Sequence, residues 1–121
     1  MISFEEFKKV ELKIGKILTA EKVEGSEKLL KLSVDFGLAF TETSARQGGD
    51  IRQVVSGIAK SYEPEKLVGK EFLFTTNLEP RNIMGLESQA MILATIKKGR
   101  NKEEVVLMKP VKKVKPGSSL S

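Results

Sequence analysis

Residues 30–36 read Leu-Lys-Leu-Ser-Val-Asp-Phe, a strict alternation of apolar and polar side chains that a half-buried β-strand satisfies. One face of such a strand must be covered, and the rest of the chain offers short segments of the same kind to cover it. Val10, Leu12 and Ile14 alternate with Glu11 and Lys13. That pattern slips at Gly15, because Ile17 and Leu18 follow out of phase, and a glycine at a phase slip predicts a β-bulge or bend. Phe72, Phe74 and Thr76 alternate again, and residues 40–46 and 51–56 flank Gly48-Gly49, which predicts a hairpin. Residues 91–96 are apolar on both faces, as in a central strand covered on two sides, and Val105 to Met108 reads as a last strand.

The remaining signals place the connections. Glu24-Gly25-Ser26 is a turn, and Ser61 to Val68 reads as a short helix that begins near Pro64 and ends before Gly69. Ser3-x-x-Glu6 is a capping box with Phe4 and Phe7 on one face of a helical turn, which is expected to plug one end of the fold. Residues 79–89 are polar and broken by Pro80 and Gly85, so an irregular loop is expected there. Together these segments predict an all-β chain with the OB-fold. It is a five-stranded barrel with a short helix between strands 3 and 4, an N-terminal helical turn and a C-terminal strand extension. An SH3-like barrel fits less well, because the helix falls between the third and fourth long strands. Residues 1–121 are expected to form a single domain, of a size that needs no disulfide or metal to fold.

Composition narrows the chemistry. The chain has no cysteine and no histidine, which removes thiolate nucleophiles, disulfides, the usual general base and the commonest transition-metal ligands. No cofactor and no metal are expected. Glu63/Glu65 and Glu103/Glu104 are close in sequence, but nothing holds them across a cleft as a paired acid and base. Phosphate-loop, dinucleotide and nucleophile-elbow motifs are absent, so no enzyme activity is expected. No apolar run approaches the roughly 20 residues of a membrane span, and the first residues lack the features of a signal peptide. A cytoplasmic protein is expected. The 21 Lys and Arg outnumber the 16 Asp and Glu, and the surplus is concentrated in residues 97–115. A basic stripe of this kind suits a phosphate backbone.

Several polar side chains fall where strands of such a barrel meet loops: Lys28, Lys31, Arg52, Ser56, Asn77, Arg81, Ser88 and Gln89. Arg and Lys neutralise phosphates, and Ser, Asn and Gln reach phosphate or 2′-hydroxyl groups. Aromatic residues make up only 6% of the chain, and most fall in core phase. Binders of single strands rely on exposed stacking platforms, so the scarcity favours recognition of a folded RNA by its shape.

The ordered segments Phe7–Ile17, Val23–Leu30, Val34–Gly37, Val55–Ile58, Tyr62–Lys70, Asn77–Arg81 and Met84–Leu93 resemble the tRNA-binding domain family. That family includes the C-terminal appendix of methionyl-tRNA synthetases and free-standing structure-specific tRNA-binding proteins. The likeness runs from about residue 4 to residue 118. It implies an OB-fold, usually a homodimer, that binds the outer corner of the L-shaped tRNA, with methionyl-tRNA synthetase as a further partner. It maps a tRNA face onto Lys28, Lys31, Arg52, Ser56, Asn77, Arg81, Ser88, Gln89 and Met91. Part of the dimer interface is expected from Val105–Met108 and the N-terminal turn. The alternative is a chaperone-like or protein-binding OB dimer, as in an export-related branch of the same family. Two departures stand out: Ala90 replaces a common glycine, and the stretch around residues 46–50 is long, which puts the pairing of the third strand in question.

Overall fold

The computed structural model describes residues 1–37, 40–41, 44–45 and 49–120. In chain order they form a helical turn α1 (Phe4–Phe7), β1 (Leu12–Lys22), β2 (Leu30–Asp35) and a small hairpin of β3 (Phe40–Thr41) and β4 (Ser44–Ala45). Then come β5 (Ile51–Ser56), a 3-10 turn η1 (Pro64–Lys66), β6 (Glu71–Thr75) and a second hairpin of β7 (Arg81–Ile83) and β8 (Leu86–Ser88). β9 (Met91–Ile92) and a third hairpin, β10 (Ala94–Gly99) with β11 (Lys102–Leu107), complete the order. Strands β5, β2, β1, β6 and β9 lie side by side in that order, each antiparallel to its neighbour. This is the five-stranded, nearly closed barrel of the OB-fold, with its short helical turn between the third and fourth barrel strands.

The alternation in β2 does what its pattern requires. Leu30, Leu32 and Val34 are fully buried, while Lys31, Ser33 and Asp35 are only partly covered. They pack with Ile17, Val54, Ile58, Leu67, Phe74 and Ile92 in one core, where Phe36 meets Phe74 edge to face at 5.2 Å. Burying each such side chain contributes about 1.5–3 kcal/mol relative to exposure, which offsets the entropy of ordering short strands.

Last comes closure. β5 and β9 do not share a ladder. Instead the Gln89 N–H donates to Gln53 O (2.8 Å), the Gln53 N–H donates to Gln89 Oε1 (2.9 Å), and the Val55 N–H donates to Ser88 Oγ (3.0 Å). One backbone bond and two side-chain bonds thus satisfy edge groups of β5 that no ladder to β9 pairs.

The structure departs from the sequence expectations at several places. Gly15 lies inside an unbroken β1, and the register shift falls between Ile17 and Thr19. Gly15 is needed for close approach: a Cβ there would sit 2.5 Å from Val34 Cγ1 and 2.7 Å from Phe36 Cε1. Segment 51–56 pairs with β2, and the described residues of the expected partner segment pair with each other instead, Phe40 with Ala45 and Thr41 with Ser44. Gly48 of the expected turn lies outside the described residues. The excursion is clasped at its root, where Phe36 N–H donates to Asp50 O (2.8 Å) and Asp50 N–H to Gly37 O (2.5 Å). The apolar run 91–96 is two strands: Ile92 pairs with Phe74 in the barrel, whereas Ala94 pairs with Leu107 in an exposed hairpin. The expected helix 61–68 shrinks to one 3-10 turn, and the expected loop 79–89 contains the β7–β8 hairpin. Finally, α1 forms with Ser3 Oγ accepting the Glu6 N–H, but Phe4 and Phe7 remain 67% and 43% exposed and plug nothing in this chain.

The chain's last described residues return to its first strand. Ile14 N–H donates to Ser118 O (2.9 Å), Gly117 N–H to Ile14 O (2.7 Å) and Leu120 N–H to Leu12 O (3.0 Å). Gly117 has φ +88, and a Cβ there would come within 1.9 Å of Phe36 O, so only glycine permits this crossing.

Candidate nucleic-acid interface

Cross-strand pairing lines up one row of side chains across the barrel's outer surface. Glu21 of β1 pairs with Lys31 of β2, Lys31 with Val55 of β5, Val55 bonds to Ser88 of β8, and Ser88 pairs with Arg81 of β7. Their neighbours Leu30, Leu32 and Val54 point into the core, so this row lies on the opposite face, where Glu21 and Arg81 are exposed, Lys31 is half-buried and Val55 and Ser88 are buried. Lys31 Nζ lies 2.6 Å from Glu21 Oε1, an exposed pair that holds little energy and opens readily. Arg81 is exposed and makes no ion pair among the described residues. Beside it lie Val55, Leu78, Ile83 and Met91, which give the surface an apolar floor next to a cation.

Ser88 is buried, and its hydroxyl accepts from Val55 N–H while donating to Ala90 O (2.9 Å). Gln89 closes the barrel through Gln53, as described above. Ala90 is buried and has no positive φ, so an alanine fits without backbone strain.

Arg52 and Asn77 stand at one end of the barrel, away from that row. Arg52 Nε and Nη2 donate to the two Asp50 carboxylate oxygens (3.0 and 2.9 Å), and Nη1 donates to Thr76 O (2.6 Å). Its guanidinium lies 5.4 Å from the centre of the Phe36 ring. Asn77 Oδ1 accepts the Glu11 N–H (2.8 Å), and Asn77 Nδ2 donates to Lys9 O (2.5 Å), tying the N-terminal segment to the end of β6. Thr76 Oγ1 donates to Glu11 Oε1 (2.5 Å). That bond lowers the Glu11 carboxyl below its ordinary value, with Lys13 and Arg52 adding to the effect and partial burial opposing it. Lys28 and Ser56 stand at the opposite end, Lys28 exposed and Ser56 half-buried next to Gly57.

Sequence reasoning passes over Met84. Met84 (φ 51) and Gly85 (φ 81) form the two-residue turn between Ile83 and Leu86, a geometry in which asparagine or aspartate is the usual first residue. Methionine carries no such turn signal, so nothing marks it in the sequence. The strained turn projects Met84, 62% exposed, over a groove shared with Lys31, Lys22 and Val23. Among the described residues no cluster of His, Cys, Asp or Glu could hold a metal ion, and no helix is long and apolar enough to cross a membrane.

Comparison with known proteins places this surface in context. Residues 12–119 match a family model described as "Putative tRNA binding domain". The chain is 46% identical over 120 residues to the methionine–tRNA ligase of Methanoregula boonei, covering 99% of this chain and 16% of the ligase. The chain thus spans about one sixth of the length of the curated relatives it matches. Among solved structures it is similar to a MetRS related protein from Pyrococcus horikoshii, with a TM-score of 0.80 and 33% identity over all of this chain and 98% of that one. It is equally similar in shape to the chaperone CsaA of Bacillus anthracis, with a TM-score of 0.80 and 27% identity over 100% of this chain and 99% of that one.

Proposed function

Because the chain belongs to the tRNA-binding domain family, we propose that it grips folded tRNA at the outer corner of the L through the outer row of its barrel. Lys31 and Arg81 supply the phosphate contacts, and Met84 and Met91 pack against sugar and base edges. Ser56 extends the contact at the end of the row, beyond which Lys28 lines a separate cleft. Arg52, Asn77, Ser88 and Gln89 act by holding the loops that present it, since their polar atoms already have partners within the fold. The observation that carries this reading is the exposed guanidinium of Arg81, without an ion pair among the described residues, on a hairpin that the Val55 N–H to Ser88 Oγ bond ties to the strand beside Lys31. The chain performs no reaction of its own in this reading. It works in the cytoplasm either beside methionyl-tRNA synthetase or as part of one. Two copies associate through Phe4, Phe7 and Met108, which are exposed, whereas Leu107 belongs to the core. A symmetric pair would double the basic surface offered to one curved RNA.

An anisotropy titration with labelled tRNA and with an unstructured RNA of equal length tests this. Preference for tRNA, lost steeply with added salt and weakened at least about fivefold by Arg81→Ala at unchanged melting temperature, supports it. Equal binding of both RNAs removes the claim of shape recognition. Indifference to tRNA with capture of unfolded polypeptide would favour the protein-binding reading that the likeness to CsaA suggests.

A further inference from the structure

The lysine surplus of residues 97–115 divides in two. Lys109, Lys112 and Lys113 follow β11 and line a shallow depression beside Glu71, whereas Lys97 and Lys102 ride on the β10–β11 hairpin. The hairpin is rooted at one side of the barrel. Val105 N–H donates to Ser61 Oγ and Leu107 N–H to Tyr62 Oη, both at 3.0 Å, and Leu107 is part of the core. These bonds engage β11 along the edge that β10 leaves open, so the hairpin projects as a fixed arm. Between the arm and the barrel lies a cleft of about 810 Å³. Lys28 and Lys60 form one wall, and Lys97 and Lys102 form the other.

We propose that this cleft is a second phosphate-binding site, distinct from the outer row, which takes a backbone segment of the same RNA. Four lysines line it against two glutamates, Glu103 and Glu104. None of the four lysines makes an ion pair among the described residues, although Lys97 stands across the ladder from Glu104. A cleft lined by more lysines than carboxylates, the lysines making no ion pairs among the described residues, favours the entry of an anion, and a polyanion gains further by releasing its own counterions. No aromatic side chain lines the cleft, so it recognises backbone and not bases. The residues between β1 and β2 connect the two surfaces. Val23 and Glu24 line the groove under Met84, and Lys28 lines the cleft. The inference rests on the tRNA reading above.

The test is the salt dependence of tRNA binding by the full chain, from about 50 to about 200 mM salt, followed by anisotropy. K97Q/K102Q is expected to lower the slope of log affinity against log salt by about 1.4–1.8, at 0.7–0.9 per lost phosphate contact. K28Q/K60Q, on the opposite wall, is expected to do the same. K112Q/K113Q removes equal charge elsewhere and is expected to leave the slope unchanged. Equal slope losses in all three variants would overturn the cleft in favour of a diffuse field. Unchanged slopes in both cleft variants, with Arg81→Ala still weakening binding, would overturn the cleft and leave the outer row standing. Absence of tRNA binding by the unmodified chain would overturn both.

Discussion

At one end of the barrel Arg52 is enclosed by Asp50, the Thr76 carbonyl and the Phe36 ring, and both polar atoms of Asn77 hold backbone groups. At the other, Lys28, Lys60, Lys97 and Lys102 face a shared cleft with no ion pairs among the described residues. Both ends are polar and cationic, and a list of residue types would rank them alike. Hydrogen-bond accounting separates them. A cation whose donors are already matched by the fold stabilises the fold, and its desolvation has been offset. A cation left to water keeps its capacity to bind something else.

The largest expected effect would break the contrast at the closed end. Arg52→Ala removes a bidentate ion pair and leaves the Asp50 carboxylate and the Thr76 carbonyl short of partners. It is expected to cost about 3 kcal/mol, read as a fall of roughly 10 °C in Tm. A loss under about 1 kcal/mol would mean the enclosure is not structural.

Next in size is the pH dependence of Glu11. Its carboxyl is held below the ordinary range in the folded chain, first by Thr76 Oγ1. The carboxylate therefore stabilises the fold in full above the unfolded value. That contribution disappears as pH falls through the lowered folded value. Glu11→Gln is expected to melt below the unmodified chain at neutral pH, by no more than about 1 kcal/mol, with the gap closing below about pH 4. A gap that persists in acid would assign the effect to packing.

At the open end the smallest effect sharpens the comparison. K28Q/K60Q should shift stability by less than about 0.5 kcal/mol in thermal melts, in either direction. A marked loss would show these lysines to be as structural as Arg52.

The same accounting explains what the sequence discloses. β2 was legible because its alternation reports one buried face, and similar patterns around it marked further strands, but the pairing of 51–56 with β2, in place of the expected hairpin, was not legible. Gly15 was visible as an anomaly, yet its cause is a close approach of Val34 and Phe36 from distant parts of the chain, which no local pattern contains. The run 91–96 looks uniformly apolar, but where it leaves the barrel depends on Leu107 offering Ala94 a partner. The helix at 61–68 is short because it starts at Pro64 and stops where Gly69 takes φ +83 and donates to Ile17 O of β1. For the candidate site, the residue types were readable and their division of labour was not. Arg52 is matched by Asp50 and the Thr76 carbonyl, whereas Arg81 makes no ion pair among the described residues. Met84 left no signal, since its turn geometry runs against its own propensity.

The strands that hold Leu12 and Ile14 against Ser118 and Leu120 join positions more than about 100 residues apart, and this has a kinetic side. During synthesis the first strand emerges long before the segment that completes its edge. That edge of the first strand has no partner until residues 117–120 have left the ribosome. Chains dominated by such distant pairings fold on the order of milliseconds to seconds, not microseconds. Residues 117–120 thus act as a latch, and the domain spends its first moments of synthesis with that latch open.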